Sequence, residues 1–196
     1  MNKLSKDINV LILVGGRSTR MGTDKSRLVY YNEPQIDYVF NLVKQVIPEQ
    51  NIFFSVRDKH QLENKLQITD VYPDFGPFGA IYSAFEFDNS KSWLVLAIDI
   101  PYLSSDLLKL LIKHRDINSI ATTFQGKAKK YPEPLITIWE PKVFPLLKKG
   151  IENKSLSLVR ILNNNPVKII PIKDEIIQNI NTKEAFDKVR INLNKT

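Results

Sequence analysis

An aliphatic run at residues 8–14 that breaks directly into Gly15-Gly16 constrains this chain more than any other feature. A strand that is apolar on both faces has to be covered on both faces, which is the situation of a central strand in a parallel sheet. Ending it in glycines puts a loop of high backbone freedom at its carboxyl end, where α/β folds keep their ligand crevice.

The alternation continues from there. Ile36, Val39, Phe40, Val43 and Ile47 recur at helical spacing after Pro34, and residues 51–56 are β-branched and aromatic enough for a second strand, completing a βαβ unit. A short strand at 67–71, a helix at 78–87 and a strong strand at 93–98 follow. Ser104 or Ser105 can cap a helix running to His114, and residues 119–124 and 135–139 read as two strands around the polar turn 125–130, an antiparallel excursion. A helix after Pro141, another opened by Ser155 and ending near Leu162, a strand at 167–172 and a closing helix at 182–189 complete the pattern. The expectation is an α/β fold: a Rossmann-like, mostly parallel sheet with helices on both faces and a short antiparallel excursion, in a single domain spanning residues 1–196.

Composition excludes several classes. With no cysteine, disulfides, thiolate catalysis and Cys-ligated zinc are ruled out. The first residues lack the apolar core and cleavage site of a secretory leader, and no apolar run approaches the roughly 18 residues of a membrane span, so a cytoplasmic protein without membrane association is expected. A net charge of +7 suits an anionic partner, which can be a nucleotide, a phosphorylated metabolite or a nucleic acid. Lys109, Lys113, Lys142, Lys148, Lys149 and Lys154 spread that charge singly, as a solvated surface does. No aromatic-and-basic recognition motif accompanies them, which disfavours nucleic acid.

The segment Leu13-Val14-Gly15-Gly16-Arg17-Ser18-Thr19-Arg20-Met21-Gly22-Thr23-Asp24-Lys25 carries the first chemistry. Its glycines let backbone N–H groups approach a phosphate chain, and Arg17, Arg20 and Lys25 place three cations within nine residues. It fits neither the Walker pattern nor the dinucleotide pattern, because five positions after Gly15 or Gly16 stand Arg20 or Met21 and no G-x-G-x-x-G is present.

Asp99 closes the strand at 93–98 and is followed by Ile100-Pro101. A hard oxygen ligand at that end faces the same crevice and can hold magnesium together with triphosphate oxygens, the alternative being a turn or helix cap ahead of Ser104. Asp74 lies in the rigid stretch Tyr72-Pro73-Asp74-Phe75-Gly76-Pro77, where an Asp also has the option of bonding its own backbone. Asp74-Phe75-Gly76 and His114-Arg115-Asp116 spell two protein-kinase motifs, but in reversed order, and Ala121 stands where the second needs its Asn. His114 reads as a helix-end residue and His60 as a surface one.

The pattern Leu-x-Gly-Gly-x-Ser-x-Arg-Met-Gly-x-Asp-Lys at residues 13–25 resembles the signature loop of the molybdenum cofactor guanylyltransferases and their nucleotidyltransferase relatives, with Val14 where the family usually has Ala. The resemblance extends to Asp99-Ile100-Pro101, to Asp74-Phe75-Gly76-Pro77-Phe78-Gly79, to Pro132-Glu133-Pro134-Leu135 and to Asn179-Ile180-Asn181-Thr182-Lys183-Glu184. It implies that Leu13, Val14, Gly15, Gly16 and Lys25 hold the triphosphate, that Arg20 and Lys25 supply charge to the reaction, that Asp99 binds magnesium, and that Asp74 contacts the nucleotide. Glu133 either orients the acceptor or braces a turn, and Asn181 either takes part in the site with Asn179 or caps the closing helix. One departure is Phe54-Ser55-Val56-Arg57-Asp58, where the family often has an Asn near the base. Guanine selection therefore does not follow from these residues, although Arg57 can bond a base edge or the acceptor.

The resemblance implies GTP as donor, Mg2+ as cofactor and a molybdopterin-type acceptor, whose phosphate attacks the α-phosphorus and releases pyrophosphate. CTP or a sugar phosphate in a sister enzyme, or a non-catalytic nucleotide-binding protein, are the alternatives. Positioning and charge stabilisation carry most of such a reaction, so no nucleophilic side chain is required.

Overall fold

The computed structural model describes residues 7–14, 33–57, 62 and 64–177. The aliphatic run forms β1 (Ile8–Leu13), and all six of its residues are buried. Its side chains alternate between two cores: Ile8, Val10 and Ile12 enter one, Leu11 and Leu13 the other. That is why the sequence shows no polar face.

After Pro34 the chain forms α1 (Gln35–Lys44), which buries Ile36, Val39, Leu42 and Val43. Then come β2 (Ile52–Val56), β3 (Leu66–Thr69), α2 (Gly76–Phe87), β4 (Ser92–Ala97) and α3 (Ser105–Lys113). A 3₁₀ turn at Pro73–Phe75 leads into α2 through Gly76, whose φ of +55° disfavours any side chain. Of the two serines that could cap α3, Ser104 does so, its Oγ accepting from the N–H of Leu107 at 3.2 Å. The chain closes with β5 (Ala121–Gly126), β6 (Ile136–Trp139), α4 (Phe144–Glu152), α5 (Leu158–Asn163) and β7 (Val167–Ile172). The expected helix opening at Ser155 begins later: Lys154 takes a φ of +52°, Ser157 caps α5 by accepting from the N–H of Arg160, and Ser155 Oγ accepts from the Arg160 guanidinium instead.

Among the described residues seven strands make one sheet in the order β3-β2-β1-β4-β6-β5-β7. Every neighbouring pair is parallel except the two made by β6, which runs antiparallel to both β4 and β5. The antiparallel excursion is thus narrower than the sequence suggests. Strand β5 is parallel to β4 but one place removed, and β6 folds back into the gap. Helices α1 and α3 pack on one face, α2, α4 and α5 on the other. The closing helix expected at 182–189 lies outside the described residues.

The amino end of the sheet is fixed by a buried ionic cluster. Arg115, its side chain 2% exposed, donates from Nε to Glu140 Oε1 at 2.7 Å and from Nη1 to Asp7 Oδ1 at 2.8 Å, with Ser92 Oγ 2.6 Å from Nη2. Burial works against the guanidinium charge, but hydrogen bonds to Glu140 and Asp7 outweigh it and raise its proton affinity. The same Arg115 bond holds the Asp7 carboxyl below its ordinary range. Arg115 ties the end of α3 to the starts of β1 and β4, a structural role unrelated to the kinase motif its neighbours spell. His114 forms the expected C-terminal cap of α3.

Candidate active site

Strand order reverses beside β1. Chain β1–β2–β3 runs outward to one side, and β4 returns to the other side of β1. A crevice outside the carboxyl ends of β1 and β4 is where such a sheet binds ligands. Register fixes what faces it: Ile68, Ser55, Leu13 and Ala97 are level across β3, β2, β1 and β4. Just beyond that row come Val14, Arg57, Asp70 and Asp99.

Asp99 stands in the turn after β4, half-buried, where the sequence places it. The next strand in space is β6, whose approach segment carries Glu133, and the N–H of Ala97 donates to Leu135 O at 3.0 Å. Glu133 is held closely: its Oε1 accepts from the N–H of Leu135 at 3.0 Å, and its own N–H donates to Phe124 O at 2.8 Å. The hydroxyls of Thr123 and Thr137, 2.7 Å apart, both lie 2.5 Å from the Glu133 carbonyl oxygen. Glu133 therefore does brace its turn. Burial raises its proton affinity, the Leu135 N–H lowers it, the charge of Asp99 raises it and Lys129 lowers it. Two carboxylates thus share this part of the edge.

On the other side of β1, Arg57 Nη2 donates to Pro73 O at 2.8 Å and lies 3.7 Å from Asp74 Oδ1. Arg57 holds the turn that carries Asp74, and the structure brings together two residues the sequence suggested separately. The Asp74 side chain is 76% exposed.

A carboxylate that sequence reasoning did not single out lies on the same side of β1. Asp70 follows β3 directly, its N–H donating to Val56 O, and its Oδ1 accepts from Ser55 Oγ at 2.9 Å. Burial pushes its carboxyl up to about 6, against the Ser55 hydrogen bond and the Arg57 charge. The signal was available, for an Asp ends this strand just as Asp99 ends β4.

Of the other expected site residues, Leu13 is buried at the end of β1 and Val14 packs against the core. Gly15, Gly16, Arg20, Lys25, Asn179 and Asn181 lie outside the described residues. Among the described residues no helix is long and apolar enough to cross a membrane.

The edge therefore offers a carboxylate at β3, a basic group at β2, the strand leading to the glycine-rich segment, and paired carboxylates at β4 and β6. Comparison with known proteins identifies the family. A protein of Flavobacterium johnsoniae named "Probable molybdenum cofactor guanylyltransferase" is 28% identical over 189 residues, covering 95% of this chain and 98% of that one. A protein of the same name from Carboxydothermus hydrogenoformans is 23% identical, covering 94% and 95%. The crystal structure of molybdopterin-guanine dinucleotide biosynthesis protein A from Archaeoglobus fulgidus superposes with a TM-score of 0.79 at 22% identity, over 96% of this chain and all of that one, and shows the shared fold. The family model of the MobA-like NTP transferase domain matches residues 10–167. The chain belongs to this MobA-like NTP transferase family and is a nucleotidyltransferase.

Proposed function

We propose that this nucleotidyltransferase uses GTP as its donor, with Mg2+, and a molybdopterin-type cofactor as its acceptor. The observation that carries the reading is the order of groups along the sheet edge: Asp70 at β3, Val14 at β1 and Asp99 at β4 succeed one another as the base, phosphates and ion of a nucleotide would. The names of the relatives support the choice of donor and acceptor.

Asp70 suits guanine. The base presents a ring N–H beside an exocyclic amine, two adjacent donors for one carboxylate, whereas adenine and cytosine present a ring acceptor beside their amine. Ser55 holds the carboxylate in orientation by its hydrogen bond. Backbone N–H groups at Leu13, Val14, Gly15 and Gly16 take the triphosphate, and Arg20 and Lys25 supply its counter-charge. Arg57 fixes the 72–75 turn, from which Asp74 meets the nucleotide.

Asp99 fits a hard divalent cation. It is a half-buried carboxylate whose charge is felt by a second, Glu133, so a cation between substrate and Asp99 relieves repulsion already present. Bound there, magnesium supplies neutralisation of the α-phosphate and the departing pyrophosphate. An acceptor phosphate oxygen forms a bond to the α-phosphorus as the bond to the α,β-bridging oxygen breaks, its electron pair leaving with pyrophosphate. The protein's part is to align these groups and hold the surrounding charge. Glu133, beside the strand that follows Asp99 in space, stands toward the acceptor while it braces its own turn.

Competition calorimetry with GTP, ATP, CTP and UTP in the presence of Mg2+ tests the base assignment. GTP is expected to bind at least about tenfold more tightly, a difference of ~1.4 kcal/mol. Equal affinities, or a preference for CTP, overturn it in favour of a sister activity.

A further inference from the structure

Three exposed lysines crowd the turn joining β5 to β6: Lys127, Lys129 and Lys130. The turn lies at the carboxyl end of β5, on the edge that carries Asp99, because β5 runs parallel to β4.

Its backbone is fixed. The N–H of Lys129 donates to Gly126 O at 3.1 Å, the Gln125 amide donates to Lys129 O at 2.9 Å, and the N–H of Ala128 lies 3.2 Å from each carboxylate oxygen of Asp174. A side chain at position 126 would be obstructed, since a Cβ there would stand 2.9 Å from Lys129 Cγ and 3.0 Å from Asp174 Cγ. The Lys129 stem is thus laid back across Gly126. Asp99 follows β4, Glu133 precedes β6 and Lys129 lies in the turn between β5 and β6, so the strand order sets them outward from the switch point, with the charges of Asp99 and Lys129 both acting on Glu133.

The edge has two sides. Asp70 and Arg57 occupy the β3–β2 side, and a nucleotide laid from there to Asp99 leaves the β6–β5 side for the second substrate. That substrate is anionic at its reacting end. Bringing a phosphate beside a triphosphate and two carboxylates is repulsive unless cations lie on its far side. We propose that the turn at 126–130, with Lys129 at its centre, is the acceptor's phosphate-binding subsite and takes a phosphate monoester. An ammonium on a flexible stem suits a phosphate that enters and leaves with each turnover. The inference rests on the nucleotidyl-transfer reading above.

The test uses phenyl phosphate as the probe, titrated by calorimetry into enzyme saturated with Mg2+ and α,β-methylene-GTP. Lys129→Glu and the triple variant Lys127→Ala, Lys129→Ala, Lys130→Ala are each expected to weaken probe binding about tenfold or more. Analogue affinity should stay within about twofold of wild type and melting temperature should not move, while Lys129→Arg retains the probe. Probe binding equal in wild type and both variants, or absent from wild type, overturns the subsite, as does an equal loss of analogue affinity. Failure of wild type to bind the analogue instead overturns the choice of GTP as donor on which the inference rests.

Discussion

The Ser55 hydroxyl donates to Oδ1 of Asp70 at 2.9 Å, across the two outermost parallel strands, and so fixes a half-buried carboxylate at the mouth of the crevice. Burial has pushed that carboxyl up to about 6, well above the ordinary aspartate value of 3.8. Only its ionised form accepts two hydrogen bonds from guanine. GTP affinity should therefore fall as pH drops below about 6, and Asp70→Asn should remove that part of the pH dependence while reducing the preference for GTP over ATP. Calorimetry between pH 5 and 8 on both proteins separates it from the titration of the triphosphate, which they share.

The same shift affects stability. A carboxyl whose pKa is raised on folding favours the native state most below its unfolded pKa, near 3.8, and loses that contribution as pH rises through about 6. Asp70→Asn should accordingly be more stable than wild type at pH 8, by about 1–2 kcal/mol once solvent screening is allowed for, with the difference vanishing near pH 4. Urea titrations at the two pH values check the sign.

Glu140 faces a different situation, because removing it leaves Arg115 buried with only Asp7 as its carboxylate partner among the described residues. Glu140→Ala should cost about 3 kcal/mol or more in urea unfolding. Replacing both partners, as Arg115→Met with Glu140→Leu, should recover much of the loss, since the one charge left without its partner, Asp7, is 53% exposed and can be hydrated.

Lys25→Ala should leave the melting temperature unchanged and weaken GTP binding by about ten- to a hundredfold, as expected for the loss of one charged hydrogen bond of about 1.5–3 kcal/mol. An unchanged dissociation constant would remove the glycine-rich segment from the site.

Asp99→Asn is nearly isosteric and keeps the packing that β4 supplies, so stability should change little while turnover collapses. The measurement is turnover against Mg2+ concentration alongside melting temperature. Turnover within about threefold of wild type at low millimolar Mg2+ would exclude the metal-ligand role, and a large fall in melting temperature would instead mark Asp99 as a buried cap.

What the sequence made legible were features that local chemistry decides. An aliphatic run with no polar face can only be a central strand, and β1 is one. Asp99 could be placed because a strong strand ends just ahead of it, and the α3 cap could be narrowed to Ser104 or Ser105 because a capping side chain acts within one turn of its own helix. The position of β6 between β4 and β5 was not legible, since strand neighbours are chosen by tertiary packing rather than by the hairpin's own residues. Asp70 escaped notice for a related reason. Its strand is a sheet edge with Leu66 exposed, so it lacks the apolar run that drew attention to β4, and burial of the carboxyl comes from the surrounding fold. Arg115 lay within a triplet notable only for spelling a kinase motif, and its burial comes from partners distant in the chain, Asp7, Ser92 and Glu140.

The proposed reaction moves a nucleotidyl group, and not a terminal phosphate, from GTP to a phosphate-bearing acceptor. GTP labelled at either the α- or the γ-phosphorus, incubated with the enzyme, Mg2+ and molybdopterin, tests it most directly. The α-label should appear in a dinucleotide-type product joined through a pyrophosphate bond, with the γ-label recovered entirely in released pyrophosphate. Transfer of the γ-label to the acceptor, or conversion of GTP to GDP with no α-labelled product, would overturn nucleotidyl transfer from GTP.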